Sequence, residues 1–470
     1  MADGSRGAAL SAARRASARY RTSPWPGKLH LTGHRATTRP APVLTFLGGD
    51  GCARYLLETP DAKLVIGCGL FAGPDARWRR NFSPGPDELH AADAVILPGA
   101  GLGQAGFLPQ LAAEGWHGPV FATPGTAALL PIVLADAAAQ FAEDAERSPF
   151  GPALPPFRAA DVTRAVALVR PVEFGTLGRL DGAEFEFGRA GGRLGAAWVR
   201  VRAAGRSVLF AGPLGAAGHP LLRPPDPRPR SDVLVLAAPG PPGDGHLAGR
   251  FAAAVHRAVR RGGSVVVPVS AAGGAELVLT TVRDLMAAQE LPRLPVLLDS
   301  PAGSAGIDVH RRAAAERWHE VRRDGVVGVP PSLVERMPDR SSLIVAGLET
   351  ADAGRVLRQL ETLLPDPRNG VVLLGHPVPG TRAAELAGGA RQLKIHGRYV
   401  PVRAEVTSLG GTGEFAGPAE VLEWASATPA PETAFVVEGA EEPSSALAKA
   451  LHAEAGWCAV VPADGERVLC

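Results

Sequence analysis

The sequence predicts an α/β protein in which a parallel α/β unit is inserted into a β-rich body. Three observations carry this. Short apolar strands separated by glycine turns begin at Pro42, and a strand–helix–strand–helix run follows them. From Val233 to Leu374 apolar strands alternate with amphipathic helices, the β-α-β signature of a parallel sheet with crossover helices. Beyond Thr381 the chain returns to shorter strands and two further helices.

Val43–Leu47, Tyr55–Glu58 and Leu64–Ile66 read as a β-meander, each strand closed by Gly, Pro or Asp. Ala94–Leu97 is wholly apolar, as a buried strand is, and leads through the glycine run Pro98–Gly106 into a helix over Phe107–Glu114. Val120–Ala122 and the helix Ala127–Glu143 follow, then strands at Val166–Val169, Glu184–Gly188, Ala197–Arg202 and Ser207–Ala211. The proline-dense stretch Pro220–Pro229 marks a boundary. Past it come strand Val233–Leu236, helix Leu247–Arg261, strand Ser264–Val267, helix Ala275–Gln289 and strand Val296–Leu298. Strand Leu343–Val345, helix Ala353–Leu364 and strand Val371–Leu374 continue the alternation. The last part reads as strands Gln392–Ile395 and Val400–Val406, helix Ala419–Ala425, strand Ala434–Val437, helix Ser444–Glu454 and strand Cys458–Val461.

At 470 residues, 46% hydrophobic and 20% charged, the composition excludes a disordered or fibrous chain and fits two or three domains. No uninterrupted apolar run approaches the roughly 20 residues that cross a bilayer, so no membrane span is expected. Cysteines at 52, 68, 458 and 470 match neither a disulfide framework nor a zinc ribbon, and a cytoplasmic location is expected. The net charge of +2 conceals a split: residues 1–40 carry seven Arg and one Lys against one Asp, so the other 430 residues sum to −5. A body that grips nucleic acid usually shows a basic surplus, and this one does not. Residues 1–40 lack apolar periodicity and a secretory apolar core; they read as a disordered basic tail that folding does not need.

Gly101, Gly103 and Gly106 satisfy G-x-G-x-x-G between a strand and a helix, the dinucleotide-binding spacing. A nucleotide-binding protein using the Gly99–Gly106 loop is therefore one reading. Against it, the next strand ends in Thr123-Pro124, with no carboxylate placed to hold a ribose.

From Val43 to the C-terminus the chain resembles the metallo-β-lactamase-fold RNA-processing nucleases that carry an inserted β-CASP domain. The strings that carry the likeness are Leu47-Gly48-Gly49, Tyr55-Leu56-Leu57-Glu58-Thr59, Cys68-Gly69-Leu70-Phe71, Arg80-Asn81-Phe82 and Gly118–Pro124. In the insert they are Gly262-Gly263 to Pro268, Leu298-Asp299-Ser300-Pro301, Gly354–Leu357 and Leu364–Asn369, followed by Gly380-Thr381 and Val400–Val406. The resemblance implies an αββα metallo-β-lactamase sandwich, 41–225 and 382–470, with a β-CASP α/β domain at 226–381.

Members of that family cleave phosphodiesters with two zinc ions held by His and carboxylate ligands. Here the first metal motif falls on Gly99, Gly101, Gly103 and Gln104, and the next ligand position on Gly192. The bridging Asp position is Pro213, the last metal His is Glu438, and the supporting Asp before Cys68-Gly69 is Gly67. The insert's acidic position is Ala237 and its third-motif His is Phe415. Gly, Pro, Ala and Phe leave no unpaired buried donors or repelling carboxylates, each of which costs about 1–3 kcal/mol. The expectation is therefore no metal and no cofactor.

His117, His246, His256 and His376 read as surface or locally bonded histidines, Ser300 as part of a structural Asp-Ser-Pro turn, and the cysteines as inert. Glu414 and Glu438 fall near the former centre, and a hydrolase with a site rebuilt around them is a second alternative. The resemblance implies a catalytically inactive homologue, a scaffold or regulatory partner of an active β-CASP protein in a hetero-oligomer, or a homodimer. The cleft floor is expected to be Gly, Pro and Phe with few charges, and RNA binding to be weak.

Overall fold

The computed structural model describes residues 40–470 except 50, 73–74, 83–86, 148–154, 241–246, 271–272, 314–339, 376 and 411–412. The basic tail, 1–39, lies outside the described residues.

In chain order the first sheet takes β1 (Val43–Phe46), β2 (Tyr55–Glu58), β3 (Lys63–Ile66), β4 (Ala94–Leu97), β5 (Val120–Ala122) and β6 (Val169–Pro171). The first three are antiparallel, and β3 to β6 run parallel. Three helices of one turn, α1 (Asp75–Trp78), α2 (Asp87–His90) and α3 (Leu102–Ala105), and the longer α4 (Leu108–Ala113), α5 (Pro124–Arg147) and α6 (Ala159–Ala167) connect them. A second sheet takes β7 (Leu177–Leu180), β8 (Ala183–Arg189), β9 (Ala197–Ala203), β10 (Arg206–Ala211) and β11 (Val233–Ala237). Strand alternation explains how the sheets stack. Ala183, Phe185 and Phe187 of β8 and Val199 and Val201 of β9 face Leu44, Tyr55, Leu57 and Ile66 of the first sheet. The first sheet's other face packs under α4, α5 and α6.

After β11 the chain builds an all-parallel five-stranded sheet from β12 (Val265–Val269), β13 (Val296–Asp299), β14 (Leu343–Gly347), β15 (Gly370–Leu374) and, last, β18 (Glu405–Leu409). Helices α7 (Leu247–Arg260), α8 (Gly274–Ala287) and α9 (Pro301–Arg312) cover one face. On the other lie α10 (Arg355–Leu363), α11 (Arg382–Ala387) and the hairpin β16 (Gln392–Ile395)–β17 (Arg398–Pro401). The chain then returns through α12 (Pro418–Ser426), β19 (Thr433–Val437), α13 (Glu441–Ala455), β20 (Ala459–Val460) and β21 (Arg467–Leu469). β19 and β20 complete the second sheet, β21 completes the first, and α12 and α13 cover the second sheet's outer face. Four layers result, helix, sheet, sheet, helix, with the parallel domain inserted.

Several expected bounds shift. β11 lies past the boundary at 226 yet pairs in the sandwich with β10 and β19; β18 lies past 381 yet pairs with β15 in the insert. By sheet membership the insert begins after Ala237 and ends near Leu409. Val166–Val169 is mostly the end of α6, an amphipathic helix with Val162 and Ala165 turned inward, and β6 starts only at Val169. Val400–Val406 is two strands, because Val402–Ala404 crosses from the hairpin to β18. Within α5, Pro124–Glu143 is long and apolar enough to span a bilayer; Leu129, Leu130, Val133, Leu134 and Ala137 instead bury one side of it against the first sheet.

Phe185 sits between the sheets, its ring centroid 4.9 Å from Phe121 and 5.7 Å from Phe187, and lies flat over Gly178, which leaves room for it. Phe185→Ala is expected to destabilise the fold by about 3–5 kcal/mol, measured as a fall in the urea midpoint at unchanged m.

Candidate functional site

The glycine run after β4 is held down by the chain's own backbone. Ala53 N donates to Gly103 O (2.7 Å), Cys68 N to Gln104 O (2.7 Å) and Leu70 N to Leu102 O (2.8 Å). A carbon added at Gly69 would lie 2.0 Å from Gly103 O, and one at Gly103 would lie 2.1 Å from Gly51 O. Glycine is required here for close approach of backbone to backbone. The space left beside Gly99, Gly101 and Gln104 is about 10 Å³, at the lower limit for one water. The loop therefore has no room for a pyrophosphate, and the dinucleotide reading falls.

Most of the expected metal positions do converge here. The Gln104 amide covers Gly99 and Gly212, since a carbon added there would be 2.1 Å from Oε1 and 3.3 Å from Nε2, respectively. Pro213 follows Gly212 at the end of β10. Gly192, at φ +73°, faces the Phe415 ring, and a carbon added there would lie 3.0 Å from it. Glu438, partly buried after β19, accepts from the Tyr55 hydroxyl at 2.7 Å, and its backbone carbonyl accepts from Gly51 N at 3.0 Å. Loss of surrounding water pushes its carboxyl up to about 7. Ala237 stays a buried strand residue paired with Val437. At Gly67, φ is +70° and an added carbon would meet Ala53 O at 2.5 Å, so a carboxylate side chain does not fit.

Arg193, which no sequence pattern singled out, fills the centre. Its guanidinium lies against Gly101, 3.2 Å from where a Cβ would stand. Nε donates to Glu414 Oε1 at 2.6 Å, and the guanidinium lies 5.2 Å from the Phe415 ring centroid. Burial works to lower its pKa, but Glu414 and Glu349 outweigh that and hold it above the ordinary value. The β8–β9 connection that presents Arg193 is anchored by Thr123 and Thr126, whose hydroxyls donate to Gly195 O at 2.6 and 2.8 Å. Gly273, the N-cap of α8, closes over the pair: an added carbon would be 3.7 Å from Arg193 Cγ and 3.8 Å from Glu414 Oε1. The expected floor of Gly, Pro and Phe with few charges is thus corrected to an amide and an ion pair packed over glycines.

The residues at these positions offer one carboxylate and no imidazole, which does not fit a pair of zinc ions. Among the described residues, no three His, Cys, Asp or Glu side chains are grouped to hold a metal ion. Glu414 and Glu438 have separate partners, Arg193 and Tyr55.

His117 and His256 bond to the carbonyls of Gly115 and Glu290; His246 and His376 lie outside the described residues. Ser300 caps α9, accepting from Gly303 N at 3.0 Å. Burial pushes the thiols of Cys52 and Cys68 up to about 12 and that of Cys470 up to about 11. Two buried histidines were not anticipated. His219 is brought down to about 4 by burial, and its Nδ1 accepts from the Leu221 and Leu222 amides. His310 of α9 places Nε2 3.8 Å from Glu276 Oε1.

Glu276, in the first turn of α8 and 4% exposed, is pushed up to about 7 by burial. Between about pH 4.5 and 7 the folded chain keeps this proton and the unfolded chain loses it, so its contribution to stability falls as pH rises. Glu276→Gln is expected to gain on the parent across that window, with a limiting slope of about 1.4 kcal/mol per pH unit, and to plateau above it. Urea unfolding at pH 5, 6, 7 and 8 reads the difference.

The Beta-Casp domain profile matches residues 275–386. Ribonuclease TTHA0252 of Thermus thermophilus is 31% identical over 417 residues, covering 84% of this chain and 92% of that protein. An RNase J-like protein of Methanocaldococcus jannaschii is 24% identical, with 84% and 92% covered. Transcription termination factor FttA of Methanosarcina mazei is 23% identical, with 87% and 68% covered. A crystal structure of a protein of unknown function from Enterococcus faecalis V583 shares the fold, with a TM-score of 0.50 at 12% identity over 92% of this chain. With its four-layer sandwich, its parallel insert and this likeness along most of its length, the chain belongs to the β-CASP family of RNA nucleases built on the metallo-β-lactamase fold.

Proposed function

We propose that this chain is a catalytically inactive member of the family that serves as a scaffold or regulatory partner of a homologue retaining its ligands. The observation that carries this reading is the Arg193–Glu414 pair seated over Gly101, at the centre of the positions where the family places metal ligands. Phosphodiester hydrolysis needs a hydroxide nucleophile and neutralisation of developing charge. Arg193 is a cation, but it is already paired with Glu414. A rebuilt hydrolase centred on Glu414 and Glu438 is disfavoured, because each carboxyl already has a partner. A cytoplasmic location belongs to the same reading and is supported by four free cysteines. The partner is a second β-CASP protein, or a second copy of this chain.

Full-length protein purified from zinc- and manganese-replete cells is expected to hold no stoichiometric metal and to leave single-stranded RNA intact with added zinc, manganese or magnesium. Nuclease activity that co-elutes with the protein and vanishes in Glu414→Gln or Glu438→Gln would overturn the reading. Affinity purification of the tagged chain from its native cells is expected to retain a β-CASP homologue that keeps its metal ligands. Recovery of a monomer with no such homologue counts against the scaffold role.

A further inference from the structure

The folded body is net negative, yet the inserted domain is not. Its described residues, 247–313 and 340–410, hold seventeen Arg and Lys against eleven Asp and Glu. The surplus is concentrated in 382–403, where Arg382, Arg391, Lys394, Arg398 and Arg403 face a single acid, Glu385. Arg382 is engaged by Asp352. The other four are exposed, and among the described residues none of them makes an ion pair or side-chain hydrogen bond.

These cations sit on and beside the β16–β17 hairpin. Its inner side is pinned by Leu393 and Ile395, both fully buried among the α10 and α11 side chains. Lys394 and Tyr399 are directly paired across the strands and so share the outer face, and Tyr399 is 65% exposed. An exposed aromatic residue beside Lys394, with Arg398 exposed at the turn and Arg391 and Arg403 at the strand ends, matches what an unpaired nucleic-acid strand requires: a base to stack on the ring and phosphates to neutralise.

We propose that this hairpin is a docking site for single-stranded nucleic acid, outside the cleft and independent of it. The open ring favours an unstacked base over an acidic protein segment, which would need the cations alone.

The test is fluorescence anisotropy of the full chain with a labelled oligouridine at two salt concentrations, so that residues 1–39 contribute equally throughout. Lys394→Glu/Arg398→Glu/Arg403→Glu is expected to weaken binding at least about tenfold and to reduce the salt slope by about 2. Arg260→Glu/Arg293→Glu/Arg312→Glu, an equal charge change at exposed positions elsewhere on the insert, is expected to stay within about twofold of the parent. Tyr399→Ala is expected to lose about tenfold, while Tyr399→Phe, which keeps the ring, binds like the parent. Melting curves of each variant confirm that it is folded. A hairpin triple variant no weaker than the control overturns the proposal. So does Tyr399→Ala binding like the parent, an outcome that would mark the surface as one for acidic protein.

Discussion

Five pairs of residues hold β11 beside β19, from Val233↔Thr433 to Ala237↔Val437, two strands exactly in phase across 200 positions of sequence. All five residues of β11 are buried, and so are Ala434, Phe435 and Val436 opposite them. The whole insert hangs from this one seam: the chain leaves the sandwich at one strand and must come back at its neighbour. The entropy of closing so long a loop grows only with the logarithm of its length, so the seam tolerates a domain between its halves once that domain is itself folded. The seam also brings the return segment alongside the sandwich, where Ala216 N bonds Glu414 O and Ala416 N bonds Leu214 O, and so carries Glu414 to Arg193.

The floor of the cleft follows from that placement. A buried ion pair contributes little net stability over a well-packed apolar pair, but removing one partner leaves a stranded charge worth about 3–5 kcal/mol. Arg193 and Glu414 thus constrain each other more than they stabilise the fold. They join the β8–β9 connection to the return segment, with the N-terminus of α8 lying over both. The glycines of this floor are demanded by the backbone beneath them.

The strands were legible in the sequence because their patterns are local. Alternation in Ala183–Arg189 and the unbroken apolar run of Ala94–Leu97 announce a half-buried and a fully buried strand, and the glycine run after Ala94–Leu97 is equally plain residue by residue. Sheet membership was not legible. Val233–Ala237 is apolar on both faces and would suit either sheet; its neighbour 200 residues later decides. Ala159–Ala167 escaped as a helix because its inward side chains are only Val162 and Ala165, and the apolar end Val166–Val169 reads as a strand by itself. Arg193 was invisible for a different reason: in a chain with so many arginines nothing marks one of them, and its direction depends on a carboxylate 221 residues away.

The seam also sets an order of events during synthesis. When Ala237 leaves the ribosome, β11 has β10 on one side and a bare edge on the other, and an open edge of a wholly apolar strand invites pairing with other chains. The 195 residues between it and Thr433 take roughly 10–40 s to make at usual rates of translation. The parallel insert has all its own strands by Leu409 and is complete before the edge is covered. The sandwich, first to begin, is therefore last to close, and its half-built second sheet is the stretch of the nascent chain most exposed to misassembly.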